Sequence, residues 1–588
     1  MENLQEGIRK IRVDVTKLGL GVVGDGVTDV TKSLNDAIKW VKDNGYETAY
    51  IPAGTYLING VGTTSNAPFR EGGIVLPDDI NIIMDYNTVL KIIPNDAWGY
   101  SCFYVAKVKN VTIRGGQIIG DKSEHVHTPV EKRETHEWGF GVCIEGGENV
   151  VVEGIRIKEC TGDGVIVSPK GTLGTPNYVP SRNVFVRKCV IDGSRRNNIS
   201  VTGGEYITLE DNVLTNAGVD GVTPKFGIDI ESYGEGDIDY EEPLYITVRG
   251  NHITGSVRAS ICNFNGYGVV ITENIVDSYI SYGHGTETII SNNVVKKLET
   301  FASIIDCGIN ALGISGGTSG NNSIVSNNVV TGFSTGIDLR GGDVLVTGNK
   351  VSQFEVAGIA SNNAKNVLID GNQISDMKET SKDGQGVRVF LGDDVTVTSN
   401  RVKGCKTGVY FYADKGVIKG NHITNVGKGI YTNKGEVLIE DNTLTDGVST
   451  TNIPAGEVIS VIGSGVKSVI RNNYISGFSR TPIYAYNTSS EIINNTLKDV
   501  TSLTAIQAVG LSHVVEGNSI SMRLPSTRCY GIYLDKASNS FVLKNTIRST
   551  SGNRMESAIT TNTSSSTKIY HNLIFEGTIS GSDTDEIG

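Results

Sequence analysis

The sequence predicts an all-β fold: a single-stranded right-handed parallel β-helix, a solenoid, with a short N-terminal capping helix. Three observations carry that expectation. Asn followed two residues later by Val, Ile or Leu recurs from Asn212 to Asn572, most often at intervals of 21 to 23 residues. A short alternating strand usually runs up to the Asn, as in Val367-Leu-Ile-Asp-Gly-Asn372, and a second follows it, opened by Gly, as in Gly336-Ile-Asp-Leu and Gly408-Val-Tyr-Phe. Gly accounts for 72 of 588 residues against 13 Pro, a balance that suits many short strands joined by tight turns.

The elements follow in order. Residues 1–13 carry no readable pattern. From Thr31 to Asn44, Leu34, Ile38 and Val41 share one helical face, with Thr31 or Asp29 as the expected N-cap. A solenoid exposes a raw edge at each end, and this helix would cover the first coil. The expected organisation is a cap over 1–60, the β-helix over 61–575 and a frayed tail over 576–588. A unit of about 22 residues cannot bury its apolar face alone, whereas stacked units can, each pairing in parallel with the coil below at ~4.8 Å. The recurring Asn is expected in a turn, tolerating left-handed backbone and stacking on its equivalents as an amide ladder.

Composition narrows the function classes. A formal net charge of −12 offers no basic face for phosphates, which argues against nucleic acid and restricts any anionic polymer to a local basic patch. No run approaches ~18 apolar residues, so membrane insertion is not expected. The opening Met-Glu-Asn-Leu-Gln-Glu has no basic start leading to an apolar core, so no secretory signal is read. The eight cysteines contain no Cys-x-x-Cys pair and several sit in apolar strands, so they are expected as buried free thiols made in a reducing cytoplasm. No cofactor motif is present, and none is expected.

Gly24-Asp-Gly-Val-Thr-Asp29, the helix after it and Thr48-Ala-Tyr-Ile-Pro-Ala-Gly-Thr-Tyr-Leu57 resemble the opening of the pectate-lyase-like superfamily, apart from Val30, where that family often has a second Asp. Thr135-His-Glu-Trp-Gly-Phe-Gly141, Gly162-Asp-Gly164, Ser194-Arg-Arg-Asn-Asn-Ile-Ser-Val201 and Gly227-Ile-Asp-Ile-Glu231, in that order, are similar to Bacillus phage and prophage β-helix proteins, including tail appendages that degrade teichoic acid. The resemblance implies a depolymerase of a cell-surface polysaccharide or teichoic acid, with hydrolysis favoured over elimination. It also implies a virion part, or a protein released at host lysis, with a homotrimer as the assembly. A polysaccharide lyase and a non-catalytic glycan-binding adhesin are the alternatives.

Registering the four segments on their inward apolar residues stacks Val142/Ile144, Val165/Val167, Ile199/Val201 and Ile228/Ile230. The outward columns are then Cys143, Ile166, Ser200, Asp229 and Glu145, Ser168, Thr202, Glu231. Asp229 and Glu231 fall on one face with Cα atoms ~6.6 Å apart, a spacing from which two carboxylates can lean to serve glycoside hydrolysis. Asp163 enters the strand two coils below and is the third catalytic candidate. Crowding would raise one pKa and supply a general acid beside an ionised partner. Arg195, Arg196 and Asn197, on the intervening coil beside Asn198, are the candidate substrate clamp. Residues 120–138 break the coil period and read as a lip over the groove, with His136 and Glu137 as acid/base pair or sugar ligands and Trp138 as a stacking platform. His125-x-His127 lacks a committed third ligand, so no metal site is assigned. Tyr410, Tyr412 and Tyr431 could stack sugars on later coils.

Overall fold

The computed structural model describes residues 12–62, 71–232, 241–298, 305–312, 320–381, 383–510, 512–523, 528–550, 555–581 and 585–588. These form two compact units, Met1–Ile305 with Leu312–Gly320, and Asp306–Ala311 with Asn321–Gly588.

In the first unit each coil contributes three short strands, one to each of three walls. One coil supplies Trp138–Glu145, Glu148–Glu153 and Arg156–Lys158; the next supplies Val165–Ser168, Arg182–Arg187 and Val190–Asp192. Each strand pairs in parallel with its counterpart on the coil above. Alternation explains the register, because shifting one strand by a single residue would turn its whole apolar set to the outside. The inward residues Val142, Val165, Ile199 and Ile228 are wholly buried, as are Ile144, Val167, Val201 and Ile230. They align rung on rung as expected: Val165 lies against Ile199, Ile199 against Ile228, and Val201 against Ile230.

The helix spans Thr31–Asp43 and buries Leu34, Ala37, Ile38 and Val41. Its cap differs from expectation. The N-cap position is Val30, with no side-chain cap hydrogen bond; Asp29 instead accepts from the Thr31 amide at 3.0 Å and hydroxyl at 2.6 Å. Val30 lies between the two expected caps, and its amide pairs with the Leu57 carbonyl at 3.1 Å.

The second unit repeats the three-wall coil, and its recurring Asn forms the expected ladder. Asn349 Nδ2 donates to Asn372 Oδ1 at 3.0 Å, Asn372 to Asn400 at 3.0 Å, and the series continues through Asn421, Asn442, Asn473, Asn495, Asn518 and Asn545 to Asn572. A shorter ladder runs Asn212, Asn251, Asn274, Asn293 in the first unit. The left-handed backbone, however, belongs to the preceding residue: Asp211, Asn327, Ser399, Asp441 and Lys544 have φ between 53° and 55°. That residue turns the chain, which leaves the Asn in ordinary backbone with its amide aimed along the stack. The strand-opening glycines stack because there is no room for a Cβ; one placed on Gly386 would meet the Gly408 carbonyl oxygen at 2.7 Å. The tail over 576–588 is not wholly unpaired. Ile579–Ser580 and Glu586–Ile587 add rungs onto Ser557–Asn562 and Lys568–Tyr570. All eight cysteines are buried thiols outside any disulfide, and among the described residues no helix is long and apolar enough to cross a membrane.

Candidate active site

The four motif segments converge on one outer wall of the first unit. Cys143 pairs with Ile166, Ile166 with Ser200 and Ser200 with Asp229, the outward column read from the sequence. Around Asp229 the side chains form a closed polar knot. Arg196 Nη1 donates to Asp163 Oδ2 at 2.9 Å, with Arg196 Nε 3.8 Å from Glu137 Oε2. Asp163 Oδ1 accepts from the Asn197 amide at 2.9 Å, and its Oδ2 also accepts from Ser200 Oγ at 2.8 Å. Asn197 Nδ2 donates to Ser200 Oγ and to Asp229 Oδ2, both at 3.0 Å, while its Oδ1 accepts from the Phe226 amide at 2.8 Å.

Exposure separates the carboxylates. Asp163 is 0% exposed and both its oxygens are taken, so it lies beneath the surface of the wall. Asp229 is 2% exposed, and its Oδ1 is buried without a hydrogen-bond partner. Glu231 is half-buried. Burial pushes all three pKa values up. For Asp163 the Arg196 charge opposes the shift. Asp229 is driven well above the carboxylate range by burial and by the neighbouring Glu231 charge, with Arg196 opposing. Glu231 is raised by burial, again with Arg196 opposing. Arg196 holds its proton more tightly than usual, because Asp163, Asp229, Glu137 and Glu231 outweigh the cost of its own burial.

Glu231 therefore lies nearer the surface than the buried Asp229 beside it, and Asp163 forms a buried ion pair with Arg196. Asn197 does not face the groove as a substrate ligand. It is wholly buried and ties Asp163 to Asp229. Arg195 also departs from the expected clamp. Its Nη1 donates to the Thr135 carbonyl at 2.5 Å, anchoring the lip, while Arg196 alone enters the knot.

The lip divides the same way. His136 is 0% exposed, and its ring bonds His125 Nε2 at 2.9 Å and the Thr128 carbonyl at 2.6 Å. His125 in turn bonds Asp121 at 2.8 Å. Neither ring has a nitrogen left for a sugar or a metal ion, so His136 is a strut and not a ligand. The backbone at His136 has φ 47°, and this turn sends its side chain inward while the next two face out. Glu137 and Trp138 line a pocket of about 460 Å³ together with Glu145, Lys170, Arg196 and Glu241. Trp138 packs edge-on against Trp98 at 5.4 Å, with the Arg133 guanidinium 4.6 Å from its ring centre.

Two charged pocket residues, Lys170 and Glu241, escaped the sequence reading. Lys170 bonds Glu145 and Glu71 at 2.8 Å and the Tyr104 hydroxyl at 2.7 Å. It stands at the base of an excursion closed by the paired bridge Lys170–Val179. The signal was available, since 13 residues separate Val165–Ser168 from Arg182–Arg187 where Ile199–Val201 and Gly204–Glu210 are separated by two. Glu241 is 6% exposed, and burial pushes its pKa up to about 7. The tyrosines of the second unit stack on one another, Tyr410 on Tyr431 at 5.5 Å and Phe390 on Tyr412 at 5.3 Å.

The right-handed β-helix region profile matches residues 56–236, 307–456 and 457–585. The chain belongs to the right-handed β-helix family. This β-helix protein is 42% identical over 505 residues to the uncharacterized protein YclG of Bacillus subtilis, covering 85% of this chain and 86% of YclG. It is 29% identical to the SPbeta prophage-derived uncharacterized protein YorA of the same organism, with 96% of each covered. Among solved structures it is similar to the tailspike of E. coli bacteriophage HK620 in complex with a pentasaccharide, at 14% identity, 93% of this chain, 79% of the tailspike and TM-score 0.43. It is also similar to PfbA, a surface adhesin of Streptococcus pneumoniae, at 15% identity, 72% of this chain, 93% of PfbA and TM-score 0.39. Likenesses of this size say nothing about the chemistry of the site.

Proposed function

We propose that this β-helix protein is a glycoside hydrolase acting on a bacterial cell-surface polymer. The observation that carries the reading is Asp229: a carboxyl 2% exposed, its pKa driven up beside Glu231, with one oxygen held by Asn197 and the other without a partner. Of the two carboxyls Asp229 is the one whose burial favours the protonated form, the form that acts as general acid on the glycosidic oxygen. Glu231, more open, is the ionised partner that activates water or attacks the sugar. The two titrate as a pair, and acid–base assistance of this kind contributes roughly 10²–10⁴-fold. Asp163 acts as a positioning residue through Arg196 and Asn197.

Elimination fits less well. Arg196 is held in its charged form by four carboxylates and cannot serve as a base, and Arg195 is bonded into the lip. The prophage-derived relative supports a place on the virion or outside the cell after lysis; assembly as a homotrimer, and a polysaccharide or a teichoic acid as the polymer, belong to the same reading.

The test is release of reducing ends, or of phosphate, from cell-wall polymers by Asp229→Asn and Glu231→Gln. Loss of turnover in both with unchanged folding is expected. Full activity in both variants excludes this site.

A further inference from the structure

The charge of the pocket has a consequence for the substrate. Four carboxylates surround Arg196, namely Asp163, Asp229, Glu137 and Glu231. Glu145 and Glu71 both hold Lys170. Glu241 lies in the same pocket with no cation paired to it among the described residues. Both basic groups are thus already spent on protein carboxylates, and each is outnumbered. Among the described residues lining the pocket, a phosphodiester or uronate chain would meet no uncommitted positive charge and would have to displace a protein carboxylate to reach Lys170 or Arg196. Even with Asp229 and Glu241 protonated, carboxylates remain in excess. The floor adds no compensation: Ile166 and Trp138 are apolar, and Ser168 and Thr202 are neutral.

We infer that the pocket selects a glycan unit that is uncharged or carries an ammonium group, which narrows the proposed polymer to a polysaccharide and sets a teichoic acid aside, and that Glu241 and Glu137 are the residues that discriminate against polyanionic chains. The inference rests on the glycan reading of the site but not on its catalytic assignment. Glu241 faces the pocket with the Glu137–Trp138 edge among its other walls, so an amine on a sugar stacked at Trp138 finds carboxylates within the same enclosure. A cation brought beside Glu241 favours its ionised form, so ligand charge and carboxyl proton exchange for one another.

The experiment uses the full chain and one oligosaccharide backbone, chitohexaose, in aminoethylated, unmodified and carboxymethylated forms. Binding is read from tryptophan fluorescence at pH 7.5 and low salt, in an otherwise wild-type protein carrying Trp40→Phe so that only Trp98 and Trp138 report. The expected order is aminoethylated, then unmodified, then carboxymethylated, with at least a tenfold span that narrows as salt is added. Glu241→Gln should shrink the span severalfold. Carboxymethylated chains binding first, or equal responses to all three, overturn the inference. Quenching of the same tryptophans by caesium and iodide supplies a readout that needs no sugar. Caesium should quench more strongly than iodide, and the ratio should fall in Glu241→Gln; iodide quenching as strongly as caesium would also overturn it. Asp229→Asn retains the charge preference if only the catalytic reading fails, so the two failures are distinguishable.

Discussion

Replacing Arg196 by Met tests the electrostatic arrangement of the site most directly. The Arg196 side chain is 18% exposed, its guanidinium bonded at 2.9 Å to the fully buried Asp163 and the countercharge for three further carboxylates. Met keeps much of the side-chain volume, so the loss is one of charge and hydrogen bonding. Removing one partner of such a buried pair costs about 3–5 kcal/mol, because the other is left uncompensated. With an unfolding entropy of ~2.1 cal/mol/K per residue and a cooperative unit of roughly 300 residues, that becomes a fall in Tm of about 5–8 °C.

The pH dependence gives the argument its sign. Asp163, Asp229 and Glu231 already have folded-state pKa values above their unfolded values, from burial above all, and losing Arg196 raises them further. A group with a raised folded pKa contributes stability that is fully present below its unfolded value, near 4 for these carboxyls, and lost as pH rises through the folded value. The deficit of Arg196→Met should therefore be largest at pH 8 and should shrink toward pH 5. Differential scanning calorimetry at the two pH values reads this, and Arg196→Met with Asp163→Asn should recover most of the loss. A Tm change under 1 °C at pH 8, or an equal change at both pH values, would refute the reasoning.

Three further outcomes are expected. Asn372→Ala removes a 0%-exposed amide that donates to Val346 O and Asn400 Oδ1 and accepts from Asn349 N and Nδ2; four buried groups lose a partner, so chemical unfolding should register about 3–5 kcal/mol, whereas Asn562→Ala, on an exposed Asn–Asp contact, should cost under about 0.5 kcal/mol. Glu241→Gln should match wild type near pH 4 and exceed it by about 1–3 °C in Tm at pH 8, because a pKa raised to about 7 makes ionisation costlier in the folded chain than in the unfolded one, a cost that grows as pH rises to that value; a loss of stability at pH 8 would contradict the burial that raises it. Trp138→Ala should raise KM about tenfold, equivalent to about 1.4 kcal/mol, while leaving kcat within about twofold, since the ring lines the pocket and neither Asp229 nor Glu231 is among the residues lining it.

The sequence revealed the walls better than the turns, and the reason is periodicity. Within a strand, side chains alternate strictly, so fixing Val165 and Ile199 as inward also fixes Ile166 and Ser200 as outward. Outside the strands no such rule operates. Arg195 and Arg196 lie in the segment between strands, where backbone turns decide direction, and nothing in their order tells which one enters the knot. His136 is misread for the same reason, because its left-handed backbone breaks the alternation that would have placed it with Trp138. The ladder shows the converse case: the αL residue and the Asn after it are separate positions, yet their joint spacing locates the turn even when the roles are interchanged. Glu241 and Lys170 belong to excursions from the coil, and their arrival at one pocket is a matter of tertiary folding.

The column through Asp229 argues for function on grounds independent of likeness to other proteins. Rung by rung it reads Tyr104, Cys143, Ile166, Ser200, Asp229, Cys262, Ser281. Asp229 is the single carboxylate in that run, on a wall whose neighbouring rungs are filled by small, apolar or hydroxyl side chains. Burying a carboxyl with one oxygen unpartnered costs about 1–3 kcal/mol more than a well-packed Ser or Cys would at the same position. A solenoid optimised only for stacking has no reason to retain it, since the adjacent rungs supply ready substitutes of compatible size. Local rules are broken in this way where a site needs a group held in an unfavourable state. Asp229→Ser should on this argument leave the protein as stable as wild type or more so while abolishing turnover, and a variant that is both destabilised and fully active would show the carboxyl to be a structural element of the wall.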